Sequence, residues 1–448
     1  MKKDNSFPFG SVSCPPTVEE VVSAYLDRRN FFLALADRYG SPLYVIEEKT
    51  LLARAREFNE AFRANLPNMQ AFFPVKANSH PKVLETMIKA GLGLEVSSGL
   101  ELELAVAAGA RSILFNGPAK SRDELRLALE HRERVIVIVD SENELTRLGP
   151  LAEEQETEIR IGVRLALATQ GLWRKFGVPI PELTRFIELA RHYRRLSLIG
   201  LHFHTSWNMK PAAQVETIRQ LGKALRGLGP ESKRSFEFID IGGGFWPHRG
   251  EWAPASPPTY SVHGADASSG HPALLPRSEG PFHTTEAASS IEEFARQISD
   301  VLGDEVFPYV QCRIFAEPGR WICGDAAHIL LTVLDRKGDE IAITDGGTNI
   351  VGWDQFEYEY FPLINLTRPE LLERPFLVLG SLCTPHDLWG RSYFGRDIQC
   401  GDLLMIPMQG AYTYSMRQHF IKPLPATIFV FAEAEGEGES KTEKVIVA

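Results

Sequence analysis

No apolar run in this 448-residue chain approaches the roughly 18 residues that a bilayer-spanning helix needs, so a helical membrane protein is excluded. Basic residues are also in short supply: 48 Lys and Arg stand against 58 Asp and Glu, a formal net charge of -10. Without a basic stripe to neutralise phosphates, nucleic acid is a poor partner and small molecules are favoured. The five cysteines (Cys14, Cys312, Cys323, Cys383, Cys400) show neither zinc-ligand spacing nor an even disulfide framework, which points to a reducing compartment. Lys2 and Lys3 are followed by Asp4, Asn5 and Ser6 where the apolar core of a signal peptide would begin. Together these absences describe a cytoplasmic protein. Internal repeats are missing as well. What is present, 44% hydrophobic and 24% charged residues, suits a globular protein with a sizeable core. The length allows two or three domains, one of which can be a barrel of about 250 residues.

Taken in order, the chain opens with a Pro-rich start and an amphipathic segment from Val18 to Phe32, an N-terminal extension over residues 1–40. Ser41 to Ile46 reads as a short strand and Glu47 to Ala64 as a helix. Apolar strand-like runs then recur at 70–75, 92–96, 112–115, 135–139, 159–165, 198–203, 236–241 and 311–316. Amphipathic helical patterns fill the gaps between them, at Pro81 to Ala90, Gly99 to Ala108, Ser121 to His131, Pro181 to Arg191 and Ala212 to Leu228. Alternation of this kind predicts a (β/α)8 barrel, with a doubly wound open sheet as the competing reading. The barrel is expected over 41–322, interrupted at 246–290 by a Pro-, Ser-, Gly- and His-rich insertion read as a mobile loop near the mouth. Beyond it strand patterns dominate: His328 to Leu334, Glu340 to Thr344, Phe376 to Gly380, Leu403 to Met408 and Thr427 to Ala432. A β-rich domain is therefore expected over 323–448, with the N-terminal extension packing on it.

The ends of the eight runs carry Lys76, Glu95 with Ser97, Asn116, Asp140, Arg164, His204, Gly242 and Glu317, groups that a barrel would gather at one mouth. Lys76 ends the run Ala71 to Val75, and an amine held in an apolar wall is prepared by desolvation for imine chemistry. The three glycines Gly242, Gly243 and Gly244 can wrap backbone N–H groups around an anion or simply make a tight turn. In Glu317-Pro318-Gly319-Arg320 the arginine can hold a phosphate and the glutamate can face a cationic heterocycle. His202 and His204 share one side of a strand, which suits either a metal pair or a ring stacked on an aromatic cofactor, and no companion carboxylate at ligand spacing is evident. The irregularly spaced His248, His263, His271 and His283 make a poor metal site. Cys383, in a polar loop from Gly380 to Asp387, is a candidate acid or nucleophile, and Tyr412 can reach a phosphate.

In this order, Pro74-Val75-Lys76-Ala77-Asn78, the His204 strand, Gly242 to Gly244, Glu317 to Arg320, the Cys383 loop and Gly410-Ala411-Tyr412 resemble the fold-type III pyridoxal-phosphate decarboxylases, the family of the diaminopimelate and ornithine decarboxylases. The resemblance covers about residues 40 to 430. It implies that Lys76 carries pyridoxal 5'-phosphate as an imine, that His204 stacks on its ring and that Glu317 pairs with the ring nitrogen. It further implies that Gly242 to Gly244, Arg320 and Tyr412 bind the phosphate, with Ser206, Gly319, Glu95 and Arg164 among the cofactor contacts. Cys383 becomes the proton donor to the α-carbon, with Thr384 and Asp387 as substrate contacts. Family members are homodimers with shared active sites, which would place the Cys383 loop in trans. The activity implied is decarboxylation of an amino acid to the amine, with no metal, nucleic acid or membrane involved.

Two departures matter. Thr384 stands where the family carries a carboxylate that grips a distal ammonium, and Ser206-Trp207 replaces the usual Gly-Ser after the stacking histidine. A buried ammonium without its partner costs several kcal/mol. A substrate other than a simple diamino acid is therefore expected, such as a conjugated or acidic amino acid of a siderophore or other secondary-metabolite pathway. The competing readings are a diaminopimelate- or ornithine-type decarboxylase of primary metabolism, a metal-dependent barrel hydrolase using His202 and His204, and a catalytically silent binding protein.

Overall fold

The computed structural model describes residues 16–166, 172–247, 251–254, 282–286, 288–351, 362–432 and 442–445. The chain divides into two compact units, one of Leu51–Pro247 with Ser289–Ile322 and the other of Met1–Thr50, His248–Ala288 and Cys323–Ala448.

The first unit is a closed parallel barrel. Its strands in chain order are Gln70–Pro74, Gly93–Val96, Ile113–Phe115, Val135–Val139, Ile159–Ala166, Leu196–His202, Phe238–Asp240 and Arg313–Ala316. Each pairs in parallel with the next, and the eighth closes on the first through Phe315 opposite Gln70. These are the eight apolar runs expected, and closure settles the choice between barrel and open sheet. Such strands are buried on both faces, which is why they read as continuous hydrophobic stretches. The inside is packed rather than hollow: Phe72, Leu114, Ile138, Phe238 and Phe315 form one buried cluster, with the Phe238 and Phe315 rings stacked at 4.5 Å. The intervening helices start where side chains cap them. Ser98, Ser121, Ser141 and Ser290 each accept a backbone N–H in the first turn, and Ser121 completes a capping box with Glu124.

The second unit is built on a nine-stranded sheet in the order 341–344, 373–379, 388–394, 364–365, 403–406, 327–337, 43–47, 426–430 and 442–445. Leu43–Glu47, expected at the start of the barrel, lies in this sheet instead, antiparallel to Ala327–Lys337 and parallel to Ala426–Val430. All five of its residues are buried. The N-terminal segment breaks at Arg28 into helices Val18–Asp27 and Arg29–Tyr39. Val22, Tyr25, Phe32 and Leu35 from these helices join Val45, Leu330, Met405 and Ile428 in one apolar cluster.

Part of the insertion also belongs to this unit. Glu251–Pro254 pairs antiparallel with His283–Glu286, and the buried His283 is anchored on the Glu373 carboxylate. Glu373 also accepts the Phe282 N–H at 2.8 Å and the Ser392 hydroxyl at 2.6 Å. The loop reading of 246–290 is thus corrected at its far end, where His283 is a packing residue. His248, His263 and His271 lie outside the described residues. Among the described residues no helix is long and apolar enough to cross a membrane.

Candidate active site

The polar groups at the C-terminal ends of the barrel strands converge. Lys76 sits just past the first strand in a one-turn 3-10 helix, Val75–Ala77, whose other two residues are buried. Its ammonium donates to the Glu95 carboxylate at the end of the second strand and reaches Ser97 Oγ at 3.4 Å. The desolvated amine expected from the apolar run is not what the barrel holds: the Lys76 side chain is 36% exposed and pairs with a Glu95 side chain that is 0% exposed. Burial, with a contribution from the negative charge of Glu317, pushes the Glu95 carboxyl up to about 7 even against the Lys76 ammonium.

Glu317 follows the eighth strand and is buried at 3% exposure. His202 Nε2 lies 3.4 Å from its Oε1 and His204 Nδ1 3.7 Å from its Oε2. The Asn116 amide bridges His202 Nε2 at 3.0 Å and Glu317 Oε1 at 3.4 Å. Burial opposes ionisation of Glu317, but His202, His204 and Lys76 outweigh it and hold the carboxyl well below the usual range. Burial also drives His202 down to about 4, so this ring is uncharged near neutrality. Asp240, two residues before the glycines, goes the other way: burial and the charge of Glu317 raise it well above its ordinary value. It accepts the Gly242 N–H at 2.8 Å.

His204 keeps 20% of its side chain exposed. Its Nδ1 accepts the Gly243 N–H at 3.1 Å, which leaves the ring proton on Nε2, 3.2 Å from Ser206 Oγ. Both ring nitrogens are thereby tied, and the ring plane is set. Ser206, expected among the cofactor contacts, meets this ring.

The glycine triplet is required by its geometry. Gly242 and Gly244 have φ of 66° and 78°, and a β-carbon on Gly244 would sit 2.1 Å from the Thr205 carbonyl oxygen. Two of the three N–H groups already donate inside the protein, to Asp240 and His204, so the cup expected of all three is smaller. Gly319 lets the end of the eighth strand press on the Lys76 turn, since a β-carbon there would meet Pro74 Cγ at 2.7 Å. Arg320 next to it stacks its guanidinium 4.6 Å from the Trp246 ring centroid and 5.6 Å from that of Trp207.

Arg164 ends the fifth strand, buried, with its guanidinium 4.4 Å above the Phe176 ring. Asp140 is drawn aside, accepting the Gly177 N–H at 3.2 Å.

The remaining expected residues belong to the other unit. Cys383 is exposed and Thr384 partly so, both in the 380–387 loop. Asp387, expected to touch substrate, is instead buried at 1%. It accepts the Thr348 N–H at 2.7 Å, the Thr348 hydroxyl at 2.9 Å and the Leu382 N–H at 2.6 Å. Its carboxylate holds the loop that displays Cys383. Tyr412 takes a left-handed φ of 64° ahead of a short helix, Thr413–Met416. Sequence reasoning assigned no role to Asp240, although an aspartate two residues before a left-handed glycine is a turn signal in its own right.

A family model described as the pyridoxal-binding domain of pyridoxal-dependent decarboxylases matches residues 50–257. The diaminopimelate decarboxylase of Methanothermobacter thermautotrophicus is 30% identical over 421 residues, 88% of each chain. The chain belongs to the pyridoxal-dependent decarboxylases. The L-glutamyl-(BtrI acyl-carrier protein) decarboxylase of Niallia circulans is 27% identical over 424 residues, 88% of this chain and 90% of the other. In fold, the crystal structure of diaminopimelate decarboxylase from M. jannaschii in complex with L-lysine superposes with a TM-score of 0.73 at 22% identity, covering 89% of each chain.

This decarboxylase thus takes an amino acid as substrate and pyridoxal phosphate as cofactor. The barrel mouth fits that group: a reachable amine at Lys76, an ionised carboxylate at Glu317, a half-open imidazole face at His204, and a glycine cradle that any β-carbon would fill. The metal-hydrolase reading gives way to it. His202, Asp240 and Glu317 do bring ligand atoms within 4.8 Å of one another, supplying the carboxylates that sequence spacing did not reveal. All three are buried, however, and a catalytic metal needs a position open to water.

Proposed function

We propose that this decarboxylase acts on an amino acid whose side chain is conjugated or acidic, rather than on a simple diamino acid, in a siderophore or other secondary-metabolite pathway. The observation that carries this reading is Thr384, a neutral residue at the position that matches the family's ammonium-gripping carboxylate. The relative whose name gives a glutamyl group on an acyl-carrier protein as substrate supports it, since conjugate chemistry occurs within the family. The diaminopimelate decarboxylases among the relatives favour the second reading, a primary-metabolic diamino-acid enzyme.

When bound, pyridoxal phosphate supplies an electron sink for the charge left as CO2 departs. Lys76 would hold it through its amine, with Glu95 placed to take and return a proton of that amine. Glu317 would face the ring-nitrogen end and favour its protonation, which would deepen the sink. His204, fixed by Gly243 and Ser206, offers a flat face, while Arg320, Gly319, the glycine turn and Tyr412 hold the phosphate end. Arg164 lies nearby. Cys383 returns a proton to the α-carbon, and Thr384 faces the substrate. In this reading the enzyme is a homodimer and each Cys383 loop completes the partner's site.

Assays of CO2 release on lysine, ornithine, arginine and diaminopimelate, beside acylated amino acids, test the proposal. Little turnover of the four diamino or guanidino substrates is expected; efficient turnover of any one removes it.

A further inference from the structure

Beside the barrel mouth lies a cavity of about 280 Å³ lined by Arg164, Trp173, Phe176, His204, Ser206 and Trp207. It shares Arg164 and His204 with the site above, but Lys76, Glu317 and the glycine turn do not line it. Two properties set its chemistry.

The walls are aromatic and open. Trp173 and Trp207 are 50% and 47% exposed, unusual for side chains that normally bury most of their surface. Trp207 is also held at a φ of 57°, a conformation that a bulky residue seldom adopts and that costs about 1 kcal/mol or more. Its indole is fixed by stacking on Trp246 at 5.0 Å and 20°, with the Arg320 guanidinium over both rings. The backbone strain thus serves to display one face of an aromatic side chain at a position where the family's pattern has a small residue.

The inner end carries a guanidinium. Arg164 is 9% exposed, and it faces the Phe176 ring with no hydrogen-bond acceptor among the described residues. Lys175 lies 5.4 Å from the same ring centroid. The carboxyl groups of Asp140, Glu317, Glu95 and Asp240 act on the Arg164 charge through space, but none takes its N–H groups, so an acceptor on a ligand can.

We propose that this cavity is the specificity subsite for the substrate's side-chain extension and that it takes a planar aryl or similarly flat acyl group ending in an anion. The inference rests on the reading that the substrate is a conjugated amino acid, and it names the class of the conjugate. The flat group lies between Trp173 and Trp207, and the anion meets Arg164 at the inner end.

The test uses the holoenzyme with three defined probes: L-ornithine, Nδ-benzoyl-L-ornithine and Nδ-(4-carboxybenzoyl)-L-ornithine. Dissociation constants are read from the change in cofactor absorbance on mixing, before turnover. The expected order is carboxybenzoyl tightest, then benzoyl, then ornithine, with about tenfold at each step. Trp173→Ala, on an exposed turn, and Trp207→Gly, which relieves the left-handed backbone, each weaken both aryl probes by about fivefold to tenfold. Trp173→Ala leaves cofactor loading and ornithine affinity unchanged. Arg164→Gln removes the preference for the carboxylate over the plain benzoyl probe. If aryl probes bind better than ornithine but indifferently to both tryptophan variants, the cavity is not the subsite, although the conjugate reading stands. If none of the aryl probes binds better than ornithine, the subsite proposal is overturned. Efficient turnover of ornithine by the unaltered enzyme overturns the reading beneath it as well.

Discussion

Lys76 and Glu95 form an ion pair whose two members play against each other. A carboxyl held at about 7, above its ordinary 4.5, favours folding below pH 4.5, and this contribution is lost as pH rises through 7. Thermal melts of the cofactor-free protein should accordingly fall between pH 5 and 8, and Glu95→Gln should flatten that slope. A slope unchanged in the variant would place the titrating group elsewhere. With cofactor bound, Lys76→Ala should abolish the imine absorbance band and leave activity at background. In the proposed reading Glu317→Gln should keep the band but lower kcat by about a hundredfold or more, because a neutral amide could not hold a proton on the ring nitrogen. Individual residues were unevenly legible. Lys76, His204 and Glu317 end apolar runs, and their position alone marked them. Asp387 was misread because a loop aspartate looks the same in sequence whether it faces solvent or ties down backbone N–H groups. Asp240 carried no mark, since its role depends on Glu317, distant in the chain and adjacent only in the folded barrel.

Among the elements, the parallel strands were legible because burial on both faces removes polar residues from them. Leu43–Glu47 reads in the same way, and nothing in a five-residue apolar strand states which sheet it joins. Leu388–Phe394 was missed altogether, because Gly390, Arg391 and Ser392 break its alternation. The loop after the third barrel strand carries a further device. Lys120 is enclosed, donating to the Gly117 carbonyl at 2.7 Å, the Ile138 carbonyl at 2.8 Å and Glu144 at 2.8 Å. Burial pushes the lysine down and the glutamate up, yet each opposes the other's shift. Glu144→Ala leaves an uncompensated ammonium between two strands, and denaturant unfolding should show a loss of about 3 to 5 kcal/mol. Lys120→Met with Glu144→Leu should recover most of it.

For the whole molecule, the proposed homodimer with shared sites makes a quantitative prediction. Lys76→Ala and Cys383→Ala enzymes, each inactive alone, should regain activity when unfolded together and refolded, because mixed dimers carry one intact site. The yield approaches about a quarter of the unaltered activity for random pairing. Recovery of none would assign both residues to a site within one chain.

The strand Leu43–Glu47 has one more consequence. Its neighbours, Ala327–Lys337 and Ala426–Val430, are synthesised long after it, whereas every strand of the barrel is made in between. On the ribosome the barrel can therefore condense while an exposed apolar segment trails from its leading end, waiting for partners. Stalled or truncated nascent chains ending before Ala327 should recruit chaperones through that segment, and Val45→Lys should suppress the recruitment.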